Sequence, residues 1–319
     1  MHTIHVNRIE EMYQHPDIAL AIGFFDGIHL GHLTVINKMI EIAEEKKLKK
    51  AVMTFDPHPS VVLNPEKKRT DYLTPLNEKK RIFESLGVDY LFIVPFTSKF
   101  AAMAEKDFIR DYLTNNHVKE VIAGFDFTYG KFGKGNMLKL AEDRQGFNVT
   151  AVSKKALNNE KISTTDIRRM LTEGEVLKAN EQLGRPYKIA GIVVQGEKRG
   201  RTIGFPTANV MPDEDYVMPK LGVYAVTLKQ VATGETFKGV CNIGYKPTFH
   251  DPSKSAVSIE VHIFDFSESI YGERVEVFWH EFLRPEQKFS GIDALIAQIN
   301  LDKRQAEEIL RDIDRSSVL

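Results

Sequence analysis

Between residues 18 and 153 two hydrophobic patterns alternate along the chain. Short, nearly unbroken apolar runs at 18–25, 51–55, 90–94, 118–123 and 148–152 have the length of strands buried on both faces. Between them, at about 33–47, 75–86 and 104–115, apolar residues recur every three or four positions among charged ones. Leu33, Val35, Ile36, Met39 and Ile40 are an example, with the spacing of an amphipathic helix. Strands alternating with helices predict an α/β fold, a parallel sheet with crossover helices. Two short helices are expected at 164–172 and 175–183. The second is stopped by Leu183-Gly184-Arg185-Pro186, a glycine just past the end and a proline beyond it.

From residue 187 the helical period disappears. Strand-length runs at 188–194, 223–229, 237–243, 256–264 and 274–279 are separated by glycine-containing turns, which predicts an antiparallel barrel or sandwich. A last amphipathic helix is expected at 291–313. The change of pattern divides the chain into domains 1–184 and 185–319, and the 319-residue length fits two domains.

Composition narrows the class. A net charge of −1 gives no global basic field, so no nucleic-acid partner is expected. One cysteine, Cys241, excludes an intramolecular disulfide framework and fits a reducing cytoplasm. The sequence has no 18-residue apolar run and no secretory leader pattern, so a soluble cytoplasmic protein without a membrane partner is expected, as a monomer or weak homo-oligomer.

The richest chemistry lies at residues 23–32, Gly-Phe-Phe-Asp-Gly-Ile-His-Leu-Gly-His, where an apolar run opens into a helical pattern. A helix start offers unpaired N–H groups and the positive end of the dipole, which attract phosphate. Gly23 and Gly31 permit close approach of backbone and ligand. His29 and His32 can donate hydrogen bonds to phosphoryl oxygens as charge develops. A zinc site that includes His58, or a plain structural pair, is the alternative. Residues 54–59, Thr-Phe-Asp-Pro-His-Pro, end the second predicted strand, where ligands bind in open α/β sheets. Phe55, His58 and Pro59 are candidates there, or form only a rigid turn. In 124–135 aromatics interleave with glycines and lysines, a cradle for a flat ring or an ordinary hairpin. Ser163, Thr165 and Arg168 open a predicted helix, where they bind phosphate or merely cap it. Neither G-x-x-x-x-G-K-[ST] nor G-x-G-x-x-G occurs.

The decapeptide resembles the HxGH signature of nucleotidylyltransferases, in the form found in prokaryotic FAD synthetases. Residues 54–59, the GxDFxFG-like segment at 124–130 and the ISSTxxR-like segment at 162–168 support the same likeness. This chain departs from the family at Thr164, at Asp166 where arginine is common, and at Phe132 and Asn136. The second half carries Gly204-Phe205-Pro206-Thr207-Ala208-Asn209, Asn242-Ile243-Gly244-Tyr245 and Ile259-Glu260-Val261-His262, and resembles the riboflavin kinase module. Gln195 replaces a histidine often seen there.

The resemblance implies a bifunctional riboflavin kinase/FAD synthetase: a Rossmann-like nucleotidylyltransferase domain followed by a β-barrel kinase domain. Its substrates and products are ATP, riboflavin, FMN and FAD. For adenylylation it implies catalytic His29, His32 and Arg168. ATP-phosphate contacts fall on Gly23, Phe25, Gly31, Ser163, Thr165 and Arg168, and flavin contacts on Phe55, His58, Pro59, Asp126 and Phe127. For the kinase it implies Glu260 as catalytic base and Thr207 and Asn209 on Mg²⁺. Gly196, Lys198, Gly200 and Arg201 form a phosphate loop, or a basic turn. Two alternatives stay open: a FAD synthetase whose barrel only binds flavin, and a non-catalytic flavin-sensing or RNA-binding regulator.

Overall fold

The computed structural model describes residues 1–63, 71–153, 156–157, 160–196, 199–248 and 251–313. The chain forms two compact units, Met1–Thr164 and Thr165–Leu319.

In the first unit six strands form a parallel sheet. They are β1 (His2–His5), β2 (Ile18–Ile22), β3 (Lys49–Asp56), β4 (Tyr90–Pro95), β5 (Val118–Gly124) and β6 (Asn148–Val152), in the spatial order β1-β4-β3-β2-β5-β6. Helices α1 (Leu30–Lys46) and α2 (Leu76–Ser85) supply two of the crossovers. Alternate residues of each strand serve opposite faces. Ile18, Leu20 and Ile22 join Met53, Phe92, Phe108 and Leu140 in one core. Ala19 and Ala21 face Ile36, Met39, Phe83 and Leu91 in the other. Both faces are covered, which is why these strands read as continuous apolar runs. From β2 the chain proceeds through β3 and β4 on one side, then crosses to β5 on the other. The carboxyl ends of β2 and β5 therefore flank a topological switch point, the place where open α/β sheets hold ligands.

Two expectations are corrected here, and one strand is added. The first strand stops at Ile22 rather than residue 25, because Phe25 (φ 55°) and Gly27 (φ 89°) turn the backbone left-handed. Phe24 and Phe25 are apolar because they line the turn, not because they extend the strand. The helix expected at 104–115 is a short α-helix, Glu105–Phe108, continued by a π-helix, Ile109–Thr114. Strand β1 was not anticipated, since its polar His2 and His5 hide the pattern at a sheet edge.

The boundary falls at the first residue of α3 (Thr164–Glu173), and α4 (Val176–Leu183), ended by Gly184 in the left-handed conformation, follows in the second unit. Strands β7 (Tyr187–Val194), β8 (Ala208–Pro212), β9 (Gly222–Gln230), β10 (Thr236–Thr248), β11 (Asp251–Ile263) and β12 (Arg274–Arg284) close into an antiparallel barrel in the order β7-β8-β11-β10-β9-β12. Closure leaves no strand edge unpaired. Tyr224, Cys241, Val261 and Trp279 are fully buried. The alternate face, through Val223, Ala225 and Val240, packs on Ala306 and Leu310, and so on the last helix, α5 (Ile292–Ile309).

Candidate active site

Helix α1 begins one residue after His29, which caps it. The Nδ1 of His29 accepts the backbone N–H of His32 at 3.2 Å. With Nδ1 an acceptor, the neutral ring carries its proton on Nε2. The His29 and His32 rings stack at 3.7 Å between centroids, 15° from parallel. Phe25, buried in the core, meets His32 edge-on at 5.4 Å. Gly31 is explained by space: a Cβ there would lie 3.1 Å from Cε1 and Nδ1 of His29. At Gly23 a Cβ would come within 2.9 Å of the Phe25 ring.

These residues line a cavity of about 320 Å³ at the carboxyl ends of β2 and β5, bounded by Gly23, Phe24, His29, His32, Asp126 and Ser163. Thr164 also lines it, and its hydroxyl donates to the carbonyl of Asp26 at 3.1 Å, so the hydroxyl at this departure from the family pattern is used locally. Thr165 and Arg168 follow on α3 in the second unit, the first exposed, the second half-buried.

A larger cavity, about 710 Å³, shares Gly23, Phe24, Asp126 and Phe127 with the first. Its walls are aromatic, with Phe55, Phe96, Phe100 and Phe108, and Pro59 is also in its lining. His58 does not line it. Its ring stands edge-on to Phe24 at 4.3 Å, and its Nδ1 accepts the Ser60 N–H at 3.0 Å. No cluster of three or more His, Cys, Asp or Glu side chains suited to a metal occurs among the described residues, so the zinc alternative has no ligand set there. A histidine-lined chamber built on a helix start thus adjoins an aromatic one, an arrangement able to bring an aromatic substrate's anionic tail to a nucleotide phosphate.

The second unit repeats the design on a different scaffold. Thr207 and Asn209 line a cavity of about 540 Å³ with Gly196 and Pro206. Thr207 also borders a cavity of about 310 Å³ lined by Asn242, Glu260, Arg284 and residues of α5. Across the ladder Glu260 lies opposite Asn209 on β8 and Asn242 on β10. Ile259, Val261 and Ile263 are buried on the other face. At Gly196 a Cβ would overlap the Asn209 amide, and at Gly200 the carbonyl of Phe205, whose N–H donates back to the Gly200 carbonyl at 2.8 Å. Lys198 and the side chain of Arg201 lie outside the described residues.

The FAD synthetase family pattern matches residues 11–166 and the riboflavin kinase pattern residues 183–310. The bifunctional riboflavin kinase/FMN adenylyltransferase of Listeria monocytogenes is 49% identical over 92% of this chain and 93% of its own. That of Bacillus subtilis is 47% identical over 96% and 97%. The chain belongs to this bifunctional family. A crystal structure named as a macrolide-efflux protein from Streptococcus pneumoniae superposes with a TM-score of 0.88 at 31% identity, covering 96% of this chain and 99% of that one. No helix of the described residues is long and apolar enough to cross a membrane.

Several residues at the family's first site were not singled out from sequence. Asp26, 2% exposed, accepts the N–H groups of Leu73 and Thr74 at 2.8 and 3.1 Å, fastening the segment that leads into α2 to the residue 23–32 turn. The Phe24 carbonyl accepts from Thr54 Oγ1 at 2.9 Å and from Lys79 Nζ at 2.8 Å. Burial pushes the Lys79 ammonium down to about 8, against the pull of Asp26 and Asp56. In the second unit, Asn242 and Arg284 join the smaller cavity. The decapeptide does contain Phe24 and Asp26, but nothing in it marks a carboxylate that caps a distant loop.

Proposed function

We propose that this chain phosphorylates riboflavin with ATP to give FMN and ADP, and then adenylylates FMN with a second ATP to give FAD and pyrophosphate. The observation that carries the reading is the pair of adjoining cavities in the first unit, one lined by the two histidines at the start of α1, the other aromatic, sharing Phe24 and Asp126. The flavin ring occupies the aromatic chamber, with Phe55, Pro59 and Phe127 against it. Its phosphate enters the chamber of the histidines, where an FMN phosphate oxygen attacks the ATP α-phosphorus and pyrophosphate leaves. Nε2–H of His29 and the His32 ring donate to the charge that builds on the α-phosphate and the leaving group, and no covalent intermediate is needed. Ser163, Thr165 and Arg168 hold the β- and γ-phosphates, a role that rests on the motif they share with nucleotidylyltransferases. The adenylyltransferase domain is read as 1–184 and the kinase domain as 185–319.

In the barrel, Glu260 accepts the proton of the riboflavin 5′-hydroxyl as that oxygen attacks the ATP γ-phosphorus. Thr207 and Asn209 offer the hard oxygens that Mg²⁺ takes alongside water and phosphate, and Gly196 leaves the space over the Asn209 amide that a Cβ would fill. When bound, Mg²⁺ neutralises charge on the transferred phosphoryl group. Thr207 borders both barrel cavities, so the residue that faces the nucleotide also faces the acceptor. The efflux function in the name of the S. pneumoniae structure is not carried over, since the curated relatives at 49% and 47% identity are named as enzymes.

Chromatography of products tests the reading. Riboflavin with ATP and Mg²⁺ is expected to yield FMN and then FAD. His29→Ala with His32→Ala should abolish FAD formation and spare FMN formation. Glu260→Ala should stop riboflavin phosphorylation and spare adenylylation of supplied FMN. Loss of both reactions in either variant contradicts two separate sites.

A further inference from the structure

Phe24 and Phe127 are the two aromatic side chains among the described residues that line both the histidine cavity and the aromatic cavity, and Phe24 is the one that a buried cation holds. Its backbone and its ring are held by the same group. Nζ of Lys79, from α2, donates to the Phe24 carbonyl at 2.8 Å and stands 3.8 Å from the centroid of the Phe24 ring. Thr54 Oγ1 supplies the second hydrogen bond to that carbonyl, and the His58 ring closes on the far edge at 4.3 Å. The start of α2 is itself tied to Asp26 through Leu73 and Thr74. The backbone that carries Lys79 is thereby anchored to the same segment, residues 23–32, that carries Phe24.

A lysine with 3% exposure is an expensive way to fill space, because an ammonium loses hydration that one hydrogen bond and a ring face do not fully restore. An apolar side chain of the same length would serve packing better. The charge has a local use. Asp26 and Asp56 are the carboxylates that act on Lys79, beside a backbone carbonyl of a residue that lines both cavities. The cation offsets them and also fixes the wall across which the flavin phosphate reaches the nucleotide. In-line displacement is sensitive to displacements of about 1 Å, so a loosened wall acts on turnover.

We propose that Lys79 is a positioning residue for adenylyl transfer: by gripping the carbonyl and ring of Phe24 together, it sets the junction at which the FMN phosphate meets ATP. This rests on the adenylyltransferase reading of the first unit.

The test is Lys79→Met in the full chain, which keeps length and removes charge, with the riboflavin kinase reaction as an internal control. FAD formation from FMN and ATP should lose at least tenfold in kcat, with KM for ATP within twofold and the kinase kcat unchanged. In the wild type, FAD-forming kcat should also fall as pH rises past about 8, where the buried ammonium deprotonates and the groups around it are Asp26, Asp56 and, across Phe24, His58. The variant should lack that limb. A wild-type kcat in Lys79→Met, or a loss shared equally by both reactions, overturns the proposal. If Lys79→Met does not fold, Phe24→Leu decides: it leaves the cation and removes the ring, and unaltered FAD formation in it is equally fatal. A wild-type chain that makes no FAD at all would sink the adenylyltransferase reading instead.

Discussion

At the scale of single residues, the first site is a problem of space around two imidazoles. Gly31 occupies the second position of α1, where alanine favours the helix by up to about 1 kcal/mol over glycine. The same Cβ would press on Cε1 and Nδ1 of His29 at 3.1 Å, tighter than such contacts normally run. Stability and activity therefore move in opposite directions. Gly31→Ala should leave the melting temperature of the first unit unchanged or slightly higher while FAD formation drops about tenfold or more. Retained activity within twofold would mean that the His29 ring is free to shift, and that its stacking on His32 is incidental. The glycines and histidines of this site were readable in sequence because their chemistry is rare at that spacing. Lys79 was not, since a lysine in an amphipathic helix reads as a solvated one, and only the fold shows that it points inward. Asp26 escaped for the same reason: its partners, Leu73 and Thr74, are far along the chain.

At the scale of elements, strands β2 to β5 and helices α1 and α2 follow from hydrophobic period alone, because those strands are buried on both faces and those helices on one. The errors gather where an element ends for functional reasons. β2 stops at Ile22 although the sequence stays apolar, and β8, which carries Asn209, hides in a stretch dominated by its glycine-rich neighbour. The last helix depends on more than its apolar stripe. Arg284 at the end of β12 donates through Nε and Nη2 to the Asp302 carboxylate at 2.7–3.1 Å, and Gln298 Nε2 donates to the same group at 2.8 Å. Asp302 is almost fully buried. Removing one member of such a pair strands the other charge and costs about 3–5 kcal/mol in buried cases; with Arg284 partly solvated, about 3 kcal/mol is the better expectation. Leu295, Ile299 and Asp302 also form one wall of the cavity that holds Glu260. Asp302→Ala should therefore shift chemical denaturation of the barrel unit by about that amount and raise the KM for riboflavin, while adenylylation of supplied FMN continues. A change under 1 kcal/mol would show that α5 is held by its apolar contacts with the barrel alone.

At the scale of the whole chain, two reactions share one polypeptide, and acid should act on the stability of the barrel. His280 on β12 is 7% exposed and shares a 2.9 Å hydrogen bond with Thr227. Burial depresses its imidazole to about 4, and His262 on β11 is lowered in the same direction by burial, against the Pro206 carbonyl that its Nδ1–H meets at 2.9 Å. A base whose folded value lies below its unfolded value of about 6.5 is neutral in the native barrel. The contribution of these two histidines to the barrel's stability is thus present in full only above pH 6.5. Below it the unfolded chain binds a proton that the folded chain refuses, and for His280 the loss grows to roughly 1 kcal/mol at pH 5.5 and about 3 kcal/mol near pH 4. For a unit of this size that is a fall of about 2–4 °C per kcal/mol. Calorimetry from pH 7.5 to pH 5 should show the barrel's transition moving down in temperature. His280→Gln, which keeps a hydrogen-bonding partner for Thr227 and cannot titrate, should flatten that slope and leave only the smaller contribution of His262. An unchanged slope in His280→Gln would place the acid sensitivity elsewhere in the barrel and deny His280 any share in it.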